Sequence, residues 1–191
     1  VFFAIAVGTF QWKKALYYLL PMSAYLIGTM VSEVIPRPVK KTHIIRWDTL
    51  LVLVEMVAVV ILGLIPETAP YQISQITINF ICAMQYNTFR QAQGIPMATT
   101  FCTNHVRQIG ITIVKALSRK SDEAVRTKLW THVRMLIFFV FGGALSAVLC
   151  NLFKGRAIWF ALIPLSIVFS GLFYADRVTE HDKIEETPRG H

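Results

Sequence analysis

Three stretches of this chain are too apolar, for too long, to be anything but helix buried in protein or in lipid. Residues 47–65 hold nineteen positions with two acids, Asp48 and Glu55, and no base. Residues 136–153 carry no charge, and neither do residues 157–175. A run of about 18 or more apolar residues is the length that crosses a bilayer. One such helix can hide in the core of a soluble all-α domain. Three would leave too little polar surface to cover them. Composition agrees: 16% of the 191 residues are charged, against roughly 25% in a soluble domain, and mean hydropathy is +0.52.

The sequence therefore predicts an all-α integral membrane protein. Seven segments can be drawn, near residues 1–10, 15–34, 47–65, 71–90, 98–117, 130–153 and 158–175. About six to seven transmembrane or partly re-entrant helices are expected. Residues 1–176 read as a single polytopic membrane domain and residues 177–191 as a polar tail. The stretch SRKSDEAVRTK, before the sixth segment, reads as a solvated linker. Pro21 and Pro164 are expected to kink their helices.

The formal net charge of +8 would suggest nucleic acid in a soluble protein. Here the bases lie in short loops beside apolar segments, where anionic head groups meet them. No basic stripe interleaved with aromatics is present, so nucleic acid is not an expected partner. Membrane lipid is. Cys82, Cys102 and Cys150 form no CxxC and give no disulfide framework.

A weak internal repeat runs through the chain. AYLIGTMVS at residues 24–32 aligns with FFVFGGALS at residues 138–146, placing Gly28 on Gly142. Trp47 then falls against Trp159 at nearly the same offset, and Val1 against Val106. The first three segments thus correspond to the last three. The expected organisation is two pseudo-symmetric halves, a partial first repeat over residues 1–65 and a second over residues 71–176. The first half is expected to be truncated, because the fourth segment's counterpart would precede Val1. If all four segments of a repeat span, the repeats share one orientation; if one is re-entrant, they are inverted. Loop bases divide evenly between the two sides, which hints that one segment does not fully cross. The fifth is the expected one.

Polar residues concentrate in residues 85–108, QYNTFRQAQGIPMATTFCTNHVRQ, where amide, hydroxyl, imidazole and guanidinium groups interrupt apolar sequence. Such groups are costly in hydrocarbon and tend to mark function. On a helix through the fourth segment, Gln72, Gln75, Asn79, Cys82, Tyr86 and Arg90 fall within about 80° of one another. Either this stripe walls a polar cavity or it hydrogen-bonds to neighbouring helices. Gly94 and Pro96 break the chain, and Thr99 and Thr100 are credible N-caps for the fifth segment. A helix starting there would point free N–H groups at an anion. Thr100, Thr103, Asn104 and Arg107 share one face. Arg107 needs a partner, a bound anion or an acid such as Glu55, unless it snorkels to an interface. Glu55, mid-span, is either that counter-ion or a titrating group in transport. His105 is a proton carrier or a hydrogen-bonded structural residue. Glu33 and Asp48, near segment ends, are expected to face head groups. Cys102 and His105 make C-x-x-H, but zinc would need further ligands, so no metal site and no cofactor are expected. No GxSxG, HExxH, P-loop or paired-carboxylate pattern occurs, and no catalytic residue is assigned.

The fourth and fifth segments resemble the YoaK-like family of bacterial multi-pass membrane proteins, a domain of unknown function. The resemblance rests on AMQYNTFR, on Gly94 and on ATTFCTNHVR. Ala83, Met84, Gln85, Phe89, Arg90, Thr99, Thr100, Thr103 and Arg107 match its second-half signature. Asn104 and His105 stand where that family often has Gly-Asn. The resemblance implies a bacterial inner-membrane protein of duplicated halves and no established activity. The expected function is a transporter or channel for a small polar or anionic solute. Its site would be lined by Asn79, Gln85, Tyr86, Thr99, Thr100, Thr103, Asn104 and Arg107, with Glu55 and His105 as charge partner or proton relay. The alternative is a non-transporting scaffold or sensor that binds lipid or a protein partner. A homo-oligomer is compatible with either.

Overall fold

A computed structural model describes residues 1–36, 39, 45–92, 95–96, 102–117 and 123–179. The described residues are helical apart from turns and one minimal strand pair. The helices are α1 (Phe2–Gly8), α2 (Trp12–Val34), α3 (Trp47–Leu64), α4 (Tyr71–Thr88), α5 (Cys102–Leu117), α6 (Glu123–Phe153) and α7 (Leu162–Tyr174). A 3-10 helix, Lys154–Ala161, joins α6 to α7, and a π-helical turn, Ala175–Thr179, follows α7. Strands β1 (Gln91–Ala92) and β2 (Ile95–Pro96) pair antiparallel where the sequence predicts a chain break.

Three helical runs are long and apolar enough to cross a membrane: Trp12–Val34, Trp47–Leu64 and the continuous run Glu123–Val178. The last turns at Lys154, whose φ of 50° lies in the left-handed region that non-glycine residues rarely occupy. Phe153 and Phe160 meet across that turn, with ring centroids 5.0 Å apart. Helix boundaries follow proline chemistry. α3 stops at Ile65, extended at φ −66° and ψ 127° ahead of Pro66, and α4 starts directly after Pro70. Pro21 sits inside α2 without ending it.

α4 packs along α2 and also touches α3. α2 and α4 run parallel: Tyr17 donates to Gln75 Oε1 (3.0 Å) near their starts, and Asn87 donates to Ser32 Oγ (2.7 Å) near their ends. Gly28 makes the close approach possible. A Cβ there would overlap the Phe80 carbonyl oxygen and lie 3.0 Å from Ala83 Cβ. Trp47, Leu51 and Met84 form the core beside this contact, flanked by Val31, Ile35, Phe80 and Phe89. α3 and α7 are antiparallel. Thr49, in the first turn of α3, bonds Asp176 beyond α7, whereas Trp159, just ahead of α7, donates to Val60 O near the end of α3.

Two boundaries differ from the sequence reading. α6 begins at Glu123, so part of the expected linker is helix. Glu, Ala, Arg and Lys are strong helix formers, and hydropathy alone passes over them. The helix also continues past residue 176, with Arg177 stacked over the Phe173 ring at 5.3 Å, into the first residues of the expected polar tail; residues 180–191 lie outside the described residues.

Candidate functional site

A polar layer gathers where α2 and α4 end and α3 begins. Asn87 is its hub on α4: its amide donates to Ser32 Oγ (2.7 Å) and Glu33 Oε1 (3.0 Å). Arg90 reaches Glu33 Oε1 at 3.2 Å and also bonds Asn87 Oδ1. Trp47 Nε1 donates to Thr88 Oγ1 (2.9 Å), tying α3 to α4. Beside it lies a second cluster. Arg46 pairs with Asp48 (3.2 Å), its backbone N–H donates to Asp176 Oδ2 (3.2 Å), and Thr49 donates to the same oxygen (2.7 Å). Asp48, Thr49 and Asp176 are all buried. Asp48 therefore does not face head groups as the sequence suggested. Its place in the first turn of α3 turns it inward under Arg46.

Removing the Asp176 carboxylate should loosen the α3–α7 attachment. Asp176→Ala leaves Thr49 without its acceptor and Arg46 with one acid fewer, at a cost of about 2 kcal/mol. Thermal unfolding in detergent micelles measures it; an unchanged midpoint would mean that the cluster does not fasten these helices.

Glu55 stands alone in the middle of α3. It is 3% exposed, and its Oε1 has no hydrogen-bond partner among the described residues. Cys82 of α4, half-buried, lies within its electrostatic reach. On the α4 stripe, Gln75 is held by Tyr17, Asn79 donates to the Gln75 carbonyl oxygen (2.8 Å), and Gln72 Oε1 is buried without a partner among the described residues. Gln85 and Tyr86 follow on the same helix, both partly buried.

The residues expected on the fifth segment fall elsewhere. Among the described residues α5 packs along α6 and makes no extended contact with α4. Arg107, exposed, donates to Asn104 Oδ1 (3.2 Å) one turn away, which brings together these two residues of the expected face. Its expected pairing with Glu55 is not among the ion pairs of the described residues. Thr103 is exposed, and Thr99, Thr100 and Gly94 lie outside the described residues. His105 is buried against His132 of α6, Nδ1 to Nδ1 at 2.9 Å. One Nδ1 must donate and the other accept, so a single proton lies between the two Nδ1 atoms and the accepting ring carries its own proton on Nε2. His132 Nε2 is buried without a partner among the described residues. Two imidazoles are too few for a metal, and the described residues contain no group of three or more His, Cys, Asp or Glu placed to hold one.

Sequence reasoning missed Ser32, Thr49, Asn87, His132 and Asp176. Asn87 sits just off the edge of the stripe. His132 and Asp176 carried no local signal.

The architecture is that of an all-helical protein with three runs able to cross a membrane and polar groups collected at helix ends. The chain matches the family described as Protein of unknown function (DUF1275) over residues 1–171, and it belongs to that family. Comparison with curated proteins and with solved structures gave no match.

Proposed function

We propose that the chain is a multi-pass protein of the bacterial inner membrane that carries a small polar or anionic solute, as a transporter or channel and not as an enzyme. Glu55 carries this reading. It is a carboxyl group buried mid-way along an apolar helix, with one oxygen unpartnered among the described residues. A protein that keeps an acid at that depth generally uses it to hold a proton, an ion or a counter-charge. In this reading Glu55 carries a proton, and the amides of Asn79 and Gln85, with Tyr86, offer hydrogen bonds to solute. Arg107, Asn104 and Thr103 on exposed α5 act at the entrance, and the His105–His132 pair sits beside them.

Helix direction supports a bilayer arrangement in which α5 does not cross. α3 and α7 are antiparallel, and Phe153, Gly155 and Arg156 gather with residues 63–67 at the far end of α3. An α6 that crosses must then start on the side where α4 ends, and α5 begins and finishes there. At about 24 Å, sixteen helical residues also fall short of the hydrocarbon thickness. Under this arrangement the two halves are inverted.

Uptake into liposomes tests the proposal, with radiolabelled acetate, inorganic phosphate and glycerol as probes. Uptake above protein-free liposomes is expected, falling about tenfold in Glu55→Gln, the loss of roughly 1.4 kcal/mol. Gln85→Ala and Arg107→Ala are expected to reduce it less. Equal uptake by all three variants would remove the site, and no uptake of any probe would favour the scaffold or sensor reading. One observation already leans that way: Gln75 and Asn87 spend their polar groups on α2, which is interhelical bonding and not a cavity wall.

A further inference from the structure

α5 is fastened to α6 by a contact that a change of pH can undo. His105 is 3% exposed and His132 0%, and their Nδ1 atoms lie 2.9 Å apart. Among the described residues α5 makes extended contact with α6 and with no other helix. Thr112, the other buried residue of α5, spends its hydroxyl on the Gln108 carbonyl oxygen of its own helix (2.6 Å). The histidine pair is thus a polar link that joins the two helices, and both of its members titrate.

In the neutral pair one Nδ1–H points at the lone pair of the other Nδ1. A first added proton leaves that bond intact if it enters the donating ring at Nε2. A second has to take the accepting Nδ1. Two N–H groups then face each other on two cations, and no hydrogen bond between them is possible. The surroundings do not compensate. His132 Nε2 is buried without a partner among the described residues, so a second N–H on that ring has no acceptor there. Lys128, one turn ahead of His132 on α6, lies within electrostatic reach and opposes a further positive charge. On α5, Cys102 sits half-buried one turn ahead of His105, and Arg107 is exposed and bonded to Asn104. Among the described residues no acid forms an ion pair with His132.

We propose that this pair is an acid-released latch: neutral imidazoles hold α5 against α6, and protonation of both rings frees it. Histidine is the side chain whose charge changes in the physiological range, and a facing pair of them repels when both are charged. The attached state binds fewer protons than the released one. Attachment is therefore complete above about pH 6.5, the ordinary histidine value, and is lost as pH falls below it. With two protons taken up, the ratio of attached to released α5 falls by up to about a hundredfold per pH unit. The inference rests on the geometry of the pair and not on transport.

Nitroxide labels on Lys115→Cys of α5 and Arg126→Cys of α6, with Cys82→Ala, Cys102→Ala and Cys150→Ala, report the distance between the helices by pulsed electron resonance. The full chain in liposomes is measured from about pH 8 to about pH 4.5, either side of the histidine range. One short, narrow distance is expected at the alkaline end and a longer, broad distribution at the acid end. In His105→Gln the short distance is expected at every pH, because the amide donates to neutral His132 and accepts from the protonated ring. His105→Leu with His132→Leu, an apolar pair with nothing to titrate, is expected to stay closed as well. A distance that does not change with pH in the parent would overturn the proposal. So would acid opening that persists in either variant, which would assign it to other groups. The parent alone also decides: opening no steeper than about tenfold per pH unit is the mark of one proton, and it would rule out release by two. Solute uptake is measured separately and is not an arm of this test.

Discussion

Gly28→Leu should pull α2 away from α4 and cost about 3 kcal/mol, the upper range for overpacking a filled interior. The obstacle is backbone. A Cβ at this position would overlap the Phe80 carbonyl oxygen, which cannot rotate aside as a long side chain could. Gly28→Ala should also destabilise, although alanine gains up to ~1 kcal/mol over glycine in a helix interior. The displaced helices would take with them the Tyr17–Gln75 and Asn87–Ser32 bonds at either end of the contact. Gly171→Ala is the matched control, since nothing lies within 4 Å of its Cβ position, and it should be neutral or slightly stabilising. Unfolding in mixed micelles, followed by circular dichroism, separates the two. Equal midpoints for Gly28→Leu and the unmodified chain would mean that α2 and α4 do not pack as described.

Gly28 also shows what could be read in advance. Its alignment with Gly142 was visible in the sequence, as were the apolar runs of α2, α3, α6 and α7 and the proline-marked gap between α3 and α4. Each of these depends on residues close together in the chain. The polar contacts do not. Arg46 and Asp176 are 130 positions apart, and Asn87 lies 55 from Ser32. Periodicity tells which side of a helix a residue occupies, not which helix it meets. The spacing of Asn104 and Arg107 puts them one turn apart on α5, but an expected site that joins them to Asn79, Gln85 and Tyr86 assumes that α5 faces α4, its neighbour in sequence. The chain turns α5 onto α6 instead, burying His105 on His132. Asp176 is the last residue of the expected membrane domain, next to the polar tail, and nothing near it in the chain marks a partner. Only the antiparallel course of α7 along α3 brings it back beneath Arg46.

Glu55→Leu is expected to make the protein more stable and abolish solute uptake. The carboxyl is 3% exposed, and one of its oxygens is unpaired among the described residues. Leucine of similar size keeps the packing and removes a buried polar group, a gain of about 1–2 kcal/mol. Glu55→Gln retains an unsatisfied polar oxygen in the same place, so its stability should stay within about 0.5 kcal/mol of the parent, the range of substitutions without a named structural cost. Stability and uptake measured on the same preparations would then move in opposite directions for leucine. That opposition is what distinguishes an acid kept for transport from one kept for structure. Were Glu55 the counter-ion of a buried base, Glu55→Leu would strand that charge and cost roughly 3 kcal/mol or more. A fall in unfolding midpoint in Glu55→Leu would therefore assign the residue to structure and remove the main support for a proton-carrying role.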